Sequence, residues 1–193
     1  MGATDPGRRE LTVSEFRSEY DRCYRTYHRG LVVMATHMLA GDLHQAQDLV
    51  NDAFVKAFRA WDTIDNPKYW LKKVIARDAI RSRLRWKKRL AGLARIHAAE
   101  RSRPVPDPAA LTEQREDYNR VMRALSVLSD RQRTIAVLCW HEEWSQTQVA
   151  ETLGITPSSV AEHLNRASVK LAREFGAHGE TLNYFHDDRK DRL

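Results

Sequence analysis

The sequence predicts an all-α fold with two small helical domains, an N-terminal helical bundle and a C-terminal helix-turn-helix domain, joined by a proline-containing linker. Apolar residues recur at helical spacing along most of the 193 residues, and no segment alternates apolar and polar residues as a half-buried strand does. Good capping residues precede several of these segments. Three prolines at alternate positions, Pro104, Pro106 and Pro108, interrupt the helical pattern between the two halves.

The N-terminal domain, residues 1–90, is predicted to begin with two long helices. The first runs from Ser14 to about Met38, and its inward residues are Phe16, Tyr20, Tyr24, Tyr27, Leu31 and Met34. Asp42 follows the "AGD" break and is a good N-cap for the second helix. The inward stripe of that second helix consists of Ala46, Leu49, Val50, Ala53, Phe54, Ala57 and Trp61.

A third helix follows Asn66, a good N-cap, and Pro67, a good first-turn residue, and it can close a small bundle with the first two. Its stretch "YWLKKVIARDAIRSRLRWKKR" changes character halfway along, because the apolar stripe continues into polar residues. The apolar members are Trp70, Leu71, Val74 and Ile75, and the polar continuation is Asp78, Ser82 and Arg85.

Positive charge is concentrated in the first half of the chain, and largely on this third helix. Residues 1–100 hold 19 Lys and Arg against 12 Asp and Glu, whereas residues 101–193 hold 13 against 14. Within the quoted stretch Asp78 is the only acid, and we expect its carboxylate to pair with Ser82 and with Arg81 or Arg85. The local excess indicates a polyanionic partner, with a solvated basic face as the alternative.

Aromatic residues flank or lie in the same basic stretch: Trp61, Tyr69, Trp70 and Trp86. Aromatic rings beside cations suit unstacked, single-stranded bases, and packing in the core is the alternative. For Trp70 we favour packing in the core, and for Trp86 both interpretations stay open.

Residues 91–112 are predicted to form a linker or an extended segment, with a long loop inside a single domain as the alternative. The C-terminal domain covers residues 113–175, and residues 176–193 form a tail. In this domain one helix covers roughly Thr112 to Leu128, and another runs from Asp130 to Trp140. The inward residues of the former are Tyr118, Val121, Leu125 and Leu128.

A short helix, a glycine-containing turn and a longer helix come next, which is the pattern of a helix-turn-helix. Ser145 and Gln148 form a capping box, Gly154 ends the short helix, and Thr156 caps the longer one. The inner stripe of the longer helix is Val160, Leu164, Ala167 and Leu171. In this motif the second helix lies in the DNA major groove, and a hairpin that only packs is the alternative. The outward residues are Ser158, Ser159, Ala161, Glu162, Asn165 and Arg166.

Enzyme chemistry, metal sites and cofactor sites are not expected. Cys23 and Cys139 lack metal-ligand spacing, and the chain has neither a phosphate-cradling glycine loop nor a nucleophile elbow. No apolar run approaches the ~20 residues that span a bilayer, and the opening segment lacks the apolar core of a signal peptide. These features predict a cytoplasmic protein that is not an enzyme.

Three stretches, in their order and spacing, resemble the extracytoplasmic-function sigma factors, a two-domain class of bacterial transcription initiation factors. They are "AGDLHQAQDLVNDAFVKAFRAWD", "NPKYWLKKVIARDAIRSRLR" and "ALSVLSDRQRTIAVLCWHEEWSQTQVAETLGITPSSVAEHLNRA". The resemblance covers roughly residues 14–90 and 115–174. It implies a protein that binds core RNA polymerase and directs promoter-specific initiation, opening the minus-ten element and reading the minus-thirty-five duplex.

The resemblance also implies partners and roles. The partners are core RNA polymerase, promoter DNA and an anti-sigma factor. The "DTIDN" loop captures a flipped minus-ten base, the basic helix holds the opened strand, and the helix-turn-helix reads the minus-thirty-five element. Core binding falls to Asp48, Leu49, Asn51, Asp52 and Phe54. DNA binding falls to Asp65, Asn66, Lys72, Lys73, Arg77, Asp78, Arg81, Arg85, Arg131, Ser158, Ser159, Ala161, Glu162, Asn165 and Arg166.

The sequence departs from the family pattern on both DNA-binding helices. The family commonly has Asn and, one turn later, Asp where this chain has Asp78 and Ser82. On the reading helix it has basic residues where this chain has Ala161 and Glu162. We expect Glu162 either to select a cytosine or to pair with Arg166 and orient it. A DNA-binding regulator without polymerase contact and an RNA-binding module are the rival functions.

Overall fold

The computed structural model describes residues 12–93 and 113–175, with side chains over residues 12–81 and 118–173. These residues form helices and no strand, which confirms the predicted all-α class. Within them, no helix is both long enough and apolar enough to cross a membrane. The helices, numbered in chain order, are α1 Val13–Met38, α2 Leu43–Ala60, α3 Pro67–Leu93, α4 Glu113–Ser126, α5 Asp130–Ala136, α6 Gln146–Leu153 and α7 Pro157–Phe175.

The chain divides into two compact units, residues 1–79 and residues 80–193. The division falls inside α3, so the first unit holds α1, α2 and the first half of α3, and the second holds the rest of α3 together with α4 to α7. The predicted linker, residues 91–112, lies outside the described residues from position 94 onward, and so does the predicted tail from position 176. The predicted domain boundaries therefore stay predictions.

The core of the first unit is built from apolar stripes that the sequence identified. The complete predicted stripe of α2, from Ala46 to Trp61, is buried. Leu31 and Met34 of α1 and Ile75 of α3 are buried as well. The cap of α2 also forms as predicted. Helical periodicity therefore located most of the buried positions of this unit.

Aromatic side chains fill the seam between α1 and α2. Phe16 and Tyr20 contact Phe58 edge to face, with ring centroids 4.9 and 5.2 Å from its own. Tyr24 was predicted to face inward but is exposed, because it lies at the rim of the seam, stacked on the imidazole of His28 at 4.6 Å between centroids. An amphipathic ring in such a place buries one side and leaves its hydroxyl in water.

The second unit is organised around a buried guanidinium. Arg133 of α5 is only 2 % exposed. Its Nε donates to the carbonyl of Leu125 at 2.6 Å, and its Nη2 donates to the carbonyl of Leu128 at 2.7 Å. Its Nη1 lies 3.4 Å from the carboxylate of Asp130. These bonds satisfy carbonyls at the end of α4 and so fix the turn that leads into α5.

Two details of α4 and α5 differ from the prediction. Tyr118 is exposed, whereas Val121 is buried, because Tyr118 lies about one turn before the covered stretch of α4 begins. The predicted single helix from residue 130 to 140 is α-helical only to Ala136 and continues as a π-helical turn, Val137–His141. This wider turn leads into a loop in which Trp144 is buried and its backbone N–H donates to the carbonyl of residue 138 at 2.9 Å.

The helix-turn-helix forms as the sequence predicts. Ser145 and Gln148 make a complete capping box at the start of α6. Gly154 ends α6 in the left-handed region, with φ of 65°, a conformation that costs glycine little. The hydroxyl of Thr156 accepts from the N–H of Ser159 at 3.2 Å and caps α7. The inner face of α7 is buried at Val160, Ala167 and Leu171 and half-buried at Leu164.

Replacing Arg133 by Met should destabilise the second unit by about 2–4 kcal/mol, because the carbonyl of Leu128 loses its side-chain donor and that of Leu125 keeps only the longer bond, 3.3 Å, from the N–H of Leu128. Arg133→Lys should recover only part of this, since an ammonium cannot reach both carbonyls in the planar geometry of guanidinium. Amide hydrogen exchange of α5 and α7 measures the loss. Arg123→Met, at an exposed position of α4, is the matched control. Equal protection in the Arg133 and Arg123 variants would contradict the role of the buried guanidinium.

Candidate functional site

The described part of α3 presents its cations away from the core. Arg77 and Arg81 are exposed, and Lys72 and Lys73 are half-buried. The ammonium of Lys73 lies 5.2 Å from the ring centroid of Tyr69, so a cation and an aromatic ring share one surface. Cations beside an aromatic ring can hold phosphates and stack an unpaired base. The side chain of the further predicted residue, number 85, lies outside the described part of the helix.

A carboxylate lies beside these cations and has its partner on another helix. The Asp78 side chain is 14 % exposed, and it accepts a hydrogen bond from the ammonium of Lys56 on α2. The sequence prediction named Ser82, Arg81 and Arg85 as partners and missed Lys56. Helical spacing identifies neighbours on the same helix only, whereas this contact depends on how two helices pack. The pair joins the cationic helix to α2.

The loop between α2 and α3 carries two predicted DNA-binding residues, Asp65 and Asn66. Both are exposed, and the side-chain oxygen of Asn66 accepts from the N–H of Tyr69 at 3.1 Å, which forms the predicted cap of α3. Trp61 and Ile64 are buried and anchor the start of the loop in the first unit. The loop therefore presents Asp65 from a backbone that is held on both sides.

The structure separates the four aromatic candidates for base stacking. Trp61 is buried and lies edge to face with Tyr20, with ring centroids 5.3 Å apart, so it belongs to the core and the stacking hypothesis is wrong for it. Tyr69 and Trp70 are half-buried. The side chain of Trp86 lies outside the described residues. Of the candidates whose side chains are described, Tyr69, next to the ammonium of Lys73, is the one best suited to stack on a base.

The outward face of α2 presents three of the five residues predicted to bind core polymerase. Asp48, Asn51 and Asp52 are exposed. Leu49 and Phe54 are 8 % and 2 % exposed, because both belong to the inward stripe of the helix. Their side chains contribute to the core of the first unit, as the inward stripe predicts, and their role in core binding stays a prediction.

Three exposed apolar side chains on α2 were not named by the sequence prediction: Leu43 at the first position of the helix, which is 49 % exposed, Val55 and Phe58. Val55 is 49 % exposed and Phe58 is 52 % exposed. Val55 lies three residues after Asp52 and seven after Asp48, so it shares their face of the helix. An apolar residue outside the inward stripe is a signal that the sequence does contain. The face thus combines carboxylates with exposed apolar surface.

The outward side of α7 is exposed as predicted. The hydroxyl of Ser159 lies 2.8 Å from that of Thr156, and Ser159 is half-buried. Arg131, the predicted contact in the first turn of α5, is exposed. The remaining predicted residues are all exposed: Ser158, Ala161, Glu162, Asn165 and Arg166.

A carboxylate and a guanidinium pair on this exposed side of α7. Arg166 donates from Nη2 to the Oε1 of Glu162, one turn earlier. Both side chains are well exposed, and pairs of this kind contribute about 0.3–0.5 kcal/mol. Of the two roles expected for Glu162, the pairing is the one that the DNA-free chain displays.

His163 belongs to the same region and was missed by the sequence prediction. It is half-buried, and its Nδ1 is buried without a hydrogen-bond partner among the described residues. Burial lowers the pKa of His163, the charges of Arg131 and Arg166 lower it further, and Glu162 opposes them. Burial and the two nearby cations therefore both favour the neutral form of this imidazole. The sequence places His163 beside the inner stripe of α7, but it does not show that Arg131 of α5 lies near enough to affect the pKa of His163.

Two parts of the chain match described protein families. Residues 23–90 match Sigma-70 region 2, and residues 124–173 match Sigma-70, region 4. The first match contains the outward face of α2 and the cations of α3. The second contains the helix-turn-helix with the exposed side of α7.

Known relatives resemble the chain along most of its length. The RNA polymerase sigma-E factor of Streptomyces avermitilis is 30 % identical over 161 residues, which cover 81 % of this chain and 84 % of that protein. The sigma-E factor of Streptomyces coelicolor is 28 % identical over 177 residues, covering 90 % and 96 %. The ECF RNA polymerase sigma factor SigW of Bacillus subtilis is 25 % identical over 168 residues, covering 80 % and 81 %.

Solved structures share the fold at lower identity. The sigma factor RpoE from Bartonella quintana, in complex with the anti-sigma factor NepR, has a TM-score of 0.62 at 21 % identity, covering 86 % of this chain and 99 % of that one. CnrH, in complex with the cytosolic domain of CnrY, has a TM-score of 0.53 at 21 % identity, covering 84 % and 90 %. At this identity the likeness concerns the fold alone.

Replacing Glu162 by Ala should blur a guanine preference in the DNA site, because Arg166 loses the carboxylate that orients it. Discrimination at that position should fall by about 1 kcal/mol, the lower end of what a good side-chain contact to a base provides. Selection of binding sites from a randomised duplex pool measures the change. Glu151→Ala, an exposed glutamate on α6, is the control and should select the wild-type site. Loss of a cytosine preference instead would show that Glu162 itself reads the base.

Proposed function

The chain belongs to the extracytoplasmic-function sigma factors of the sigma-70 family, and we propose that its first unit docks on core RNA polymerase and binds the opened minus-ten strand, while α7 reads the minus-thirty-five duplex. As a sigma factor it directs promoter-specific transcription with core RNA polymerase. Sigma factors are regulatory initiation factors rather than enzymes. The protein acts in the cytoplasm, where the polymerase is.

The outward face of α2 is the observation that carries the docking proposal. Asp48 and Asp52 are exposed one turn apart, and Val55 adds exposed apolar surface on the same face. A firm interface has an apolar centre with a charged rim, and large exposed apolar side chains mark interaction surfaces. A rigid helix with this composition suits a protein partner with apolar side chains surrounded by cations. Bare DNA has neither feature.

The cationic side of α3 supports the proposal for the opened minus-ten strand. Arg77 and Arg81 are exposed, and Lys73 lies beside the ring of Tyr69. Taking a base out of a duplex costs a few kcal/mol, which stacking and phosphate contacts must offset. The loop that precedes α3 presents the exposed carboxylate of Asp65. A displaced base needs a polar partner of this kind.

The exposed side of α7 supports the proposal for the minus-thirty-five duplex. Asn165 and Arg166 are side chains that pair with adenine and guanine edges in a major groove. Both are exposed on the second helix of a helix-turn-helix, which is the helix that enters the groove. Arg131 at the start of α5 is suited to a backbone phosphate.

An anti-sigma factor is a further proposed partner. The fold relative from Bartonella quintana was solved in complex with the anti-sigma factor NepR. In this chain the exposed side chains of Val55 and Phe58 offer apolar surface that an inhibitory protein can cover. A protein bound there competes with polymerase docking.

Run-off transcription tests the proposed function directly. Purified protein is mixed with core polymerase that lacks any other sigma factor, on a library of genomic fragments. The expected result is a small set of discrete transcripts whose upstream sequences share two elements. Core polymerase alone is the control and should give none of them. Selective binding of DNA without any transcript would overturn the proposal in favour of a regulator that does not contact polymerase.

Reversing both exposed carboxylates of α2, Asp48→Lys with Asp52→Lys, should weaken core binding tenfold or more. Like charges brought together across an interface cost several kcal/mol, of which ~1.4 already gives a factor of ten. Fluorescence anisotropy of labelled protein titrated with core polymerase measures the affinity. Both side chains are exposed, so circular dichroism should remain that of the wild type.

The matched control reverses two exposed acids elsewhere, Asp21→Lys on α1 with Glu151→Lys on α6. This variant has the same net charge as the α2 variant, and its core affinity should stay near the wild-type value. The docking assignment is wrong if the two double variants bind core polymerase equally well.

A further inference from the structure

The ion pair between Lys56 and Asp78 links the two helices to which the proposed function gives different partners. Lys56 lies on α2, four residues after Asp52, which belongs to the proposed docking face. Asp78 lies on α3. It borders the buried stripe of that helix on one side and the exposed cations Arg77 and Arg81 on the other. The Lys56 side chain is half exposed, whereas that of Asp78 is mostly covered. The pair therefore lies at the edge of the first unit, next to its cationic surface.

The carboxylate of Asp78 has two sources of positive charge within reach. One is Lys56, which it contacts in the structure. The other is its own helix, because Arg81 lies three residues later and residues at this spacing are neighbours on a helix surface. A covered carboxylate is costly without a counter-charge. If Lys56 were removed, the nearest replacement would be a cation of α3.

We propose that Lys56 is a positioning residue for strand binding: it neutralises Asp78, keeps that carboxylate from recruiting Arg81, and so leaves Arg81 available for a DNA phosphate. Lys56 touches no DNA in this arrangement and acts through Asp78. The proposal rests on the proposed function, since it assigns α3 to the opened strand. It also explains how an acid is tolerated where the cations of α3 meet a polyanion.

The pair has a second consequence for the same surface. A contact between α2 and α3 fixes the side of α3 that faces outward, because rotation of α3 about its axis would break it. The buried residues Leu71 and Ile75 restrict the same rotation from inside the core. When α2 docks on a partner, the strand-binding side of α3 therefore has a defined orientation relative to α2.

Salt dependence of strand binding distinguishes this role from a purely structural one. Each phosphate contact to a single strand contributes about 0.7 to the slope of log affinity against log salt. Holoenzyme at saturating sigma is titrated with a promoter fragment, identified by run-off transcription, whose minus-ten segment is unpaired. Lys56→Met should lower the slope by about 0.7. The affinity should fall about three- to tenfold at 0.1 M salt, the range expected for one lost contact.

Three further variants make the test specific. Lys56→Met combined with Asp78→Asn should restore the wild-type slope, because no carboxylate is left to hold Arg81. Lys56→Arg should keep the wild-type slope, since a guanidinium also pairs with a carboxylate. Arg25→Met, at an exposed position of α1, removes one positive charge elsewhere in the first unit and should leave the slope unchanged.

The outcomes separate this proposal from the proposed function. If the wild-type holoenzyme does not bind the fragment, the proposed function fails, and the positioning role fails with it. If the wild type binds and Lys56→Met has the wild-type slope, the positioning role alone is overturned. If the slope stays low in the double variant, Lys56 contacts a phosphate itself, which also contradicts the proposal. Amide hydrogen exchange of α2 and α3 in the double variant checks that the unit is folded.

Discussion

The first unit depends on one constraint: α3 has an apolar stripe along only its first half. Leu71, Ile75 and Ala79 bury that half in the core, while the cations of the same helix require water or an anion around them. A helix with both properties can be anchored firmly and still expose a polyanion-binding surface. Asp78 lies where the stripe ends, and Lys56 supplies the charge that lets a carboxylate remain there.

On α2 and α7, as on α3, buried apolar residues hold the helix in the core while exposed side chains are left to contact a partner. The outward side of α2 combines carboxylates with Val55, the side of α3 carries cations beside Tyr69, and the side of α7 carries mixed polar residues around Glu162 and Arg166. Three chemistries on three rigid helices suit three kinds of partner: a protein, an unpaired strand and a duplex. Because the helices are fixed by buried residues, each surface is largely formed before its partner arrives, which limits the entropy lost on binding.

Most of the fold was readable from the sequence because its signals are local. Caps such as Asn66 and Ser145 act within one helical turn, and apolar periodicity reports burial along a single helix. The interactions that sequence reasoning missed join different helices: Lys56 of α2 pairs with Asp78 of α3, and the charge of Arg131 on α5 acts on the imidazole of His163 on α7. The wrong assignments share a cause as well, because periodicity places a residue on a face without saying whether a neighbouring helix covers it. The exposed rings of Tyr24 and Tyr118, both predicted to face inward, illustrate this.

The central claim is that two different helices, α3 and α7, contact two different states of promoter DNA. Site-specific photocrosslinking in the holoenzyme tests it most directly, with one probe replacing Arg77 on α3 and another replacing Asn165 on α7. Both positions are exposed. The account predicts that the α3 probe crosslinks to the unpaired minus-ten strand only after the promoter opens, and that the α7 probe crosslinks to duplex DNA upstream both before and after opening. Crosslinks from both probes to the same duplex segment, or from the α3 probe to duplex DNA alone, would contradict it.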